Sequence, residues 1–420
     1  MDKFIIKGGN ILDGKITISG SKNSALPILA GALLAEEGEC VIDNIPDIRD
    51  IDIMLEVIRE LGAEIEYDKN EHRVAINAKN INNYKAPYDL VRKMRASFLV
   101  MGPLLGRFRQ AEVSLPGGCV LGARPVDLHM KGFQSLGAKT FEGEGYIKAK
   151  AENLTGSTVY FDRPSHTGTE NIILAAALAE GKTRIINAAC DPEVVDLVRF
   201  LNKMGAKISG AGSTLVEIEG VNKLTGVNYK AMPDRLVAGT YACAAAITGG
   251  EVLLETADEE SLQMPLMKMR AMGIDITGGN GGIVVKGPER LKPVDITTFP
   301  FPGFPTDLQA CFMSMCTIAD GVSNIVETVF ENRLSHAMEL MRLGANIKVL
   351  GDRAVINGME HLQGASVMAS DIRAGAALVL AGLCAEGTTE LLRVYHIDRG
   401  YEKIDEVLKN VGADITRVSD

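Results

Sequence analysis

No stretch of this sequence stays apolar for the roughly 20 residues that a membrane-crossing helix requires. The longest apolar runs, such as AGAALVLAGLCAEG, end sooner and end in charge. The opening MDKFIIKGG alternates residue by residue and lacks a basic segment followed by an apolar one, so it does not read as a secretory signal. Positive charge is in deficit. A formal net charge of −10 argues against a general nucleic-acid or anionic-membrane surface, so an anionic ligand must be gripped by a local group of basic residues. Cysteine is sparse: there are seven, and none lies in a C-x-x-C. Cys40, Cys190, Cys243 and Cys384 sit among apolar or small residues, where reduced core thiols and a cytoplasmic compartment are expected. The six histidines show no H-E-x-x-H or comparable ligand spacing, and neither a metal nor another cofactor is expected. One stretch, GNILDGKI at residues 9–16, approaches a phosphate loop, but Ile16 replaces the required Ser or Thr and the flanks alternate like a β-hairpin.

What is present is a repeat. The 420 residues, 46% hydrophobic and 23% charged, suit a soluble chain of two domains. A helix end followed by a strand recurs as LGAEIEY, LGAKTFE, MGAKISG, MGIDITG, LGANIKV and VGADITR, starting at Leu61, Leu136, Met204, Met272, Leu343 and Val411. In each copy the glycine suits a left-handed helix stop and an alternating strand follows. Ahead of each copy a small-residue helix ends near a glycine and runs into a β-rich segment, as in AALAEGKTRIINAA. Each unit of about 70 residues therefore reads helix, strand, helix, strand, with a further strand before the next. The expected fold is α/β: two similar α/β domains of three units each, with ligands expected in the cleft between them. The domains are residues 22–229, carrying the Cys119 loop, and residues 1–21 with 230–420, completed by the N-terminal strands.

Chemistry-bearing residues gather where the units meet. GSKNSALPILAGALL puts Lys22 and Asn23 directly ahead of a helix whose first turn tolerates Pro27, which is either an anion site or a solvated lysine with an N-cap asparagine. Further junctions offer Arg92, Lys93 and Arg95; Arg333; Asp371 and Arg373; and His396, Asp398 and Arg399. Planar guanidinium groups converging on one place are suited to carboxylates and phosphates. FPTDLQA places Asp307 after two prolines, as a helix cap or as a catalytic base. SLPGGCVLGARPVDLH presents Cys119 behind two glycines with Arg124 five residues on, a setting for a reactive thiolate or for an inert loop thiol.

Together LPGGCVLGARPVDLH, GSKNSALPILAGALL, FPTDLQA, ENRLSHAMELMRLGA and VYHIDRGYEKI resemble the UDP-N-acetylglucosamine 1-carboxyvinyltransferase (enolpyruvyl transferase) family over essentially the whole chain. The resemblance implies two inverse α/β domains and transfer of enolpyruvate from phosphoenolpyruvate to the sugar 3-hydroxyl, with release of phosphate, as the first committed step of peptidoglycan synthesis. It implies that Lys22, Arg124 and Arg399 hold the phosphate or carboxylate of phosphoenolpyruvate, with Arg333 and Arg373 nearby, and that Asn23 and Arg95 lie near sugar and phosphate. Arg124, Pro125, Val126, Asp127 and Leu128 would contact the uridine end, Val329 the sugar nucleotide through its backbone, and Arg163 and Ser165 the diphosphate. Asp307 would be the base for the 3-hydroxyl. Cys119 would carry a phosphoenolpyruvate adduct and be alkylated by fosfomycin. The segment DRPSHTGTENIILAA departs from the family pattern at His166 and Thr167, leaving His166 as an extra diphosphate ligand or, in preference, a surface substitution. The partners implied are the two small-molecule substrates, in a monomer or weak homo-oligomer. The alternatives are a 3-phosphoshikimate enolpyruvyl transferase, against which the GGC loop and the RPVDL segment speak, and a non-catalytic sugar-nucleotide sensor.

Overall fold

The computed structural model describes residues 2–114, 126–279 and 281–419, and within them the six sequence copies become six copies of one folding unit. In the first copy an inner helix, Lys22–Gly31, leads to the strand Cys40–Asp43 and an outer helix, Arg49–Glu60. A β-hairpin follows, Glu64–Asp68 with Arg73–Asn77, and then a short strand, Lys85–Ala86. The glycine after each outer helix has a positive φ, between 89° and 109° at Gly62, Gly137, Gly205, Gly273, Gly344 and Gly412. That left-handed turn is strained for any residue with a Cβ, which is why the repeat keeps glycine there.

Strand pairing repeats as well. Each copy contributes to a four-stranded sheet in which a short strand runs parallel to the strand after the inner helix, and the two hairpin strands continue the sheet antiparallel. Three places are filled from far along the chain. Lys3–Lys7 inserts between Thr388–Leu392 and Asp414–Val418, Asp13–Thr17 lies parallel to Glu251–Glu255, and Asn228–Lys230 lies parallel to Cys40–Asp43. The flanks of residues 9–16 therefore do not form the hairpin that their alternation suggests. Both strands alternate because each has one face on a core, and their partners belong to two different sheets.

The chain divides into two compact units, residues 2–19 with 233–419 and residues 20–114 with 126–232. In each unit the inner helices lie among the other elements and are buried nearly all round. Every residue of the inner helix Arg235–Ile247 is buried, so it is built from alanine, glycine and other small side chains rather than from an amphipathic stripe. A Cβ on Gly239 would stand 2.6 Å from a methyl group of Leu308, so glycine is what lets this helix approach the inner helix Thr306–Cys316. Pro27 falls in the interior of its helix rather than in the first turn, since the helix begins at Lys22 with Ser21 as its cap. Among the described residues no helix is long and apolar enough to cross a membrane.

Inner helices carry their polar residues at the N-terminus, where free N–H groups need partners. Ser21, Ser165, Asp234 and Asp371 cap four of them through side-chain oxygens. Just inside those four ends stand Lys22, His166, Arg235 and Arg373, and Asp307 holds the second position of a fifth inner helix, Thr306–Cys316. The repeat thus places site candidates at equivalent points of successive copies.

Candidate active site

In the unit of residues 233–419 the candidates meet at Asp307. One carboxylate oxygen accepts from Arg333 Nη2 at 3.0 Å and the other from Arg373 Nε at 3.1 Å. Both arginine side chains are 4% exposed while Asp307 is 27% exposed, so the carboxylate is the part of the group that meets solvent. Asp307 is not the cap of its helix, which is Pro305. Arg373 goes on to donate from Nη1 to the Tyr401 hydroxyl at 2.9 Å, and Tyr401 contacts Thr240 Oγ1 at 2.8 Å. Burial works against the charge of Arg373, but Tyr401, Asp307 and Asp234 outweigh it and hold the guanidinium protonated well above the usual range. Burial pushes His336 down to about 4, so this imidazole is neutral and its Nδ1 donates to the Arg333 carbonyl at 3.0 Å.

Asp371 is committed as a cap. Its Oδ1 accepts from the N–H groups of Arg373 and Ala374 at 3.0 and 3.1 Å, which fixes the backbone from which Arg373 reaches Asp307. Val329 donates its N–H to buried Glu327 at 2.8 Å, so a backbone contact from Val329 to a ligand falls to its carbonyl. Glu327 also takes the hydroxyls of Thr298 and Thr306 at 3.0 and 2.8 Å, holding the start of the Asp307 helix. Arg399 is half-buried at the end of the turn Val394–Arg399, which packs on the inner helix Ile372–Cys384. Asp398 is directed elsewhere, into a two-bond pair with Arg417 at 2.6 and 3.0 Å.

In the unit of residues 20–114 and 126–232 the basic candidates stand at helix starts. Lys22 is 13% exposed with its ammonium 3.5 Å from the buried carboxylate of Asp50. Asn23 is half-buried as the next residue, and Arg92 lies apart, exposed and paired with Asp89. Arg95 opens the turn Arg95–Val100, and Val126, Asp127 and Leu128 lead into the helix Asp127–Ser135. His129 joins these segments. Asn171 Nδ2 donates to its Nδ1 at 3.1 Å, Thr167 Oγ1 lies 3.4 Å from its Nε2, and Phe98 meets its ring edge-on at 5.1 Å. Burial, helped by Arg95, pushes His129 down to about 3, so it stays neutral and supports the other residues by shape. Cys119, Arg124 and Pro125 lie outside the described residues.

Ser165 caps the helix His166–Ala176 by accepting from Gly168 N–H at 3.2 Å, with Arg163 exposed two residues earlier. His166 has a carboxylate near each ring nitrogen. Its Nε2 lies 3.0 Å from buried Glu170 and its Nδ1 3.7 Å from Asp191. Burial disfavours its charge, but Glu170, Asp191 and Glu193 outweigh that and raise it from 6.5 to about 10. A folded pKa above the unfolded value means that the pair's stabilisation is complete below about pH 6.5 and fades as pH climbs toward about 10. We expect the wild-type unfolding free energy to fall across that window and His166→Gln to flatten the fall. Urea titrations at pH 6, 8 and 10 check this, and parallel slopes for the two proteins would refute it.

Cys40, Cys243, Cys311 and Cys316 are buried, whereas Cys190 and Cys384 are only half-buried, and all six are free thiols. Burial raises Cys40 and Cys316 to about 11 and Cys384 to about 12, which leaves them protonated and unreactive at neutral pH. Sequence reasoning missed Asp50, His129, Thr240, Glu327 and Tyr401. Two of them had a signal: Tyr401 sits two residues after Arg399 in VYHIDRGYEKI, and His129 closes SLPGGCVLGARPVDLH, both motifs already singled out.

Six copies of this unit with charged residues at the inner helix ends form the architecture of the enolpyruvyl transferases. The enolpyruvyl transferase NikO from Streptomyces tendae matches it with a TM-score of 0.90 at 26% identity, over 100% of this chain and 99% of that one. EPSP synthase from Acinetobacter baumannii shares the fold at a TM-score of 0.77 and 21% identity, over 100% of both chains. The family model of EPSP synthase (3-phosphoshikimate 1-carboxyvinyltransferase) matches residues 6–408. UDP-N-acetylglucosamine 1-carboxyvinyltransferase 1 of Caldanaerobacter subterraneus subsp. tengcongensis is 52% identical over 99% of each chain. The UDP-N-acetylglucosamine 1-carboxyvinyltransferase of Methylacidiphilum infernorum is 54% identical over 100% of this chain and 99% of its own. The chain belongs to the UDP-N-acetylglucosamine 1-carboxyvinyltransferase family.

Proposed function

We infer that this protein transfers the enolpyruvyl group of phosphoenolpyruvate to the 3-hydroxyl of UDP-N-acetylglucosamine and releases inorganic phosphate, in the first committed step of peptidoglycan synthesis. The observation that carries this reading is identity above 50% with proteins of that name from end to end of the chain. The chemistry has two stages. The sugar oxygen adds to the enol carbon while its proton leaves and another proton reaches the methylene carbon. Phosphate then departs and the methylene carbon gives a proton back, restoring the double bond.

Asp307 accepts the hydroxyl proton in this scheme, and Arg333 and Arg373 fix the carboxylate that does so. Lys22, Arg124 and Arg399, with Arg333 and Arg373 near them, hold the phosphate and carboxylate groups, whose charge shifts in both stages. Asn23 and Arg95 approach the sugar and its phosphates. Residues 124–128, with Arg163, Ser165 and Val329, hold the nucleotide. Cys119 is the residue that takes up phosphoenolpyruvate and fosfomycin. The free thiols of the described residues suit a reducing, cytoplasmic setting.

Phosphate release from phosphoenolpyruvate is the test, with UDP-N-acetylglucosamine and shikimate 3-phosphate as rival acceptors. We expect release with the sugar nucleotide alone, together with one fosfomycin adduct on Cys119 by mass spectrometry. Release with shikimate 3-phosphate only would overturn the acceptor, and release with neither would favour a binding protein. Release without an adduct would remove Cys119 from the scheme.

A further inference from the structure

Donor and acceptor accounting fixes the direction of a hydrogen-bond chain behind Asp307. Arg373 has only donors, so across the 2.9 Å contact its Nη1 donates to the Tyr401 oxygen. Thr240 Oγ1 donates to the carbonyl of Leu236 at 2.9 Å, which uses its only proton. The 2.8 Å contact between the two hydroxyls therefore runs from Tyr401 to Thr240. The chain reads Arg373 to Tyr401 to Thr240 to the Leu236 carbonyl, every link in one sense. Tyr401 is 1% exposed and Thr240 is fully buried, so no water competes for these bonds. The tyrosine ring also lies against the guanidinium, whose carbon is 5.3 Å from the ring centre.

We propose that Tyr401 is a positioning residue for the transfer reaction: its hydroxyl, oriented by Thr240, holds Arg373 in the plane from which Nε reaches Asp307. The inference rests on the reading of Asp307 as base. Charged and titratable groups around this chain include Arg333 on the second Asp307 oxygen, Asp371 capping the Arg373 helix, Asp234 near Arg373, buried Tyr241 beside Tyr401, and buried Cys311 and His336. Arg373 Nη1 is held by the Tyr401 hydroxyl, so loss of that hydroxyl removes this hold on the guanidinium. A carboxylate whose cationic partner drifts away gains proton affinity, and the acid limb of turnover must then move to higher pH.

Tyr401→Phe and Thr240→Val are the variants, with Asp307→Asn measured beside them. For Tyr401→Phe we expect kcat lower by about tenfold, KM for UDP-N-acetylglucosamine within about twofold of wild type, and the acid limb of the kcat profile raised by about half a unit or more. Thr240→Val, which takes the acceptor from Tyr401 but leaves its hydroxyl, should move both in the same direction by less. A lower kcat with the acid limb unmoved in both variants would reduce Tyr401 to packing and overturn the proposal. Wild-type behaviour of both variants beside an inactive Asp307→Asn would overturn it too, and leave the base in place. An active Asp307→Asn would remove the base and the proposal together.

Discussion

Replacing Asp307 by asparagine is expected to lower kcat by roughly 10²–10⁴-fold, the usual range for loss of a positioned acid–base group. The substitution keeps the shape of the side chain, so substrate affinity should change far less than turnover. The amide cannot take a proton from the sugar hydroxyl, and its NH2 group must face either Arg333 or Arg373, so one of the two guanidiniums points a donor at a donor while the other keeps an oxygen acceptor. Both guanidiniums are 4% exposed and lose their counter-charge. Removing one partner of a fully buried pair costs about 3–5 kcal/mol. Asp307 itself meets solvent, so a smaller loss of about 1–3 kcal/mol is expected here. Steady-state phosphate release separates kcat from KM, and urea unfolding reads the stability. A variant that is stable and retains more than a tenth of wild-type kcat would exclude Asp307 as the base.

The second large effect is structural. Asp196, 4% exposed on the outer helix Pro192–Lys203, accepts from three donors: Ser24 Oγ, the Tyr229 hydroxyl at 2.6 Å and the Met232 N–H at 3.0 Å. Ser24 belongs to the helix that begins at Lys22, and Met232 in turn accepts from Ser21 N–H at 2.8 Å, next to where the chain passes between units. One carboxylate therefore ties the Lys22 helix end to the segment that closes its unit. Burial and the Asp196 charge both raise the Tyr229 hydroxyl, which consequently stays a donor. Asp196→Ala removes the carboxylate acceptor from buried Ser24 and from half-buried Tyr229 and Met232, leaving Tyr229 only the main-chain carbonyl of residue 196 at 3.1 Å, and a loss of about 1–3 kcal/mol is expected. Hydrogen exchange followed by peptide mass spectrometry checks it. Amides of residues 20–114 and 126–232 should lose protection while those of 233–419 keep theirs. Unchanged protection in the first unit would show that the three donors find other partners.

His166 shows how a local signal can be present and still go unread. Glu170 stands four residues on, at the spacing that brings helix side chains together, so a pair was available from the sequence. What the sequence does not contain is Asp191 on the far side of the ring, or the burial that makes the pair matter. Asn23 misleads in the opposite direction. It is a good cap by type, but Ser21 takes the cap because the helix begins two residues earlier.

The sequence by itself determined the repeat, the glycine stops, the small-residue inner helices and the chemistry available at their N-termini. These follow from signals that act within about ten residues: side-chain period, backbone freedom and capping. The tertiary structure decided which distant pieces meet. Lys3–Lys7 completes a sheet with the strand ending at Val418, and Asp307 is held by arginines 26 and 66 residues further on. Thr240 and Tyr401 are 161 residues apart. Equivalent helix ends can be read from a repeat, because each copy obeys the same local rules. Their convergence cannot, because it depends on how three copies close around one core, and that is set by packing across the whole unit.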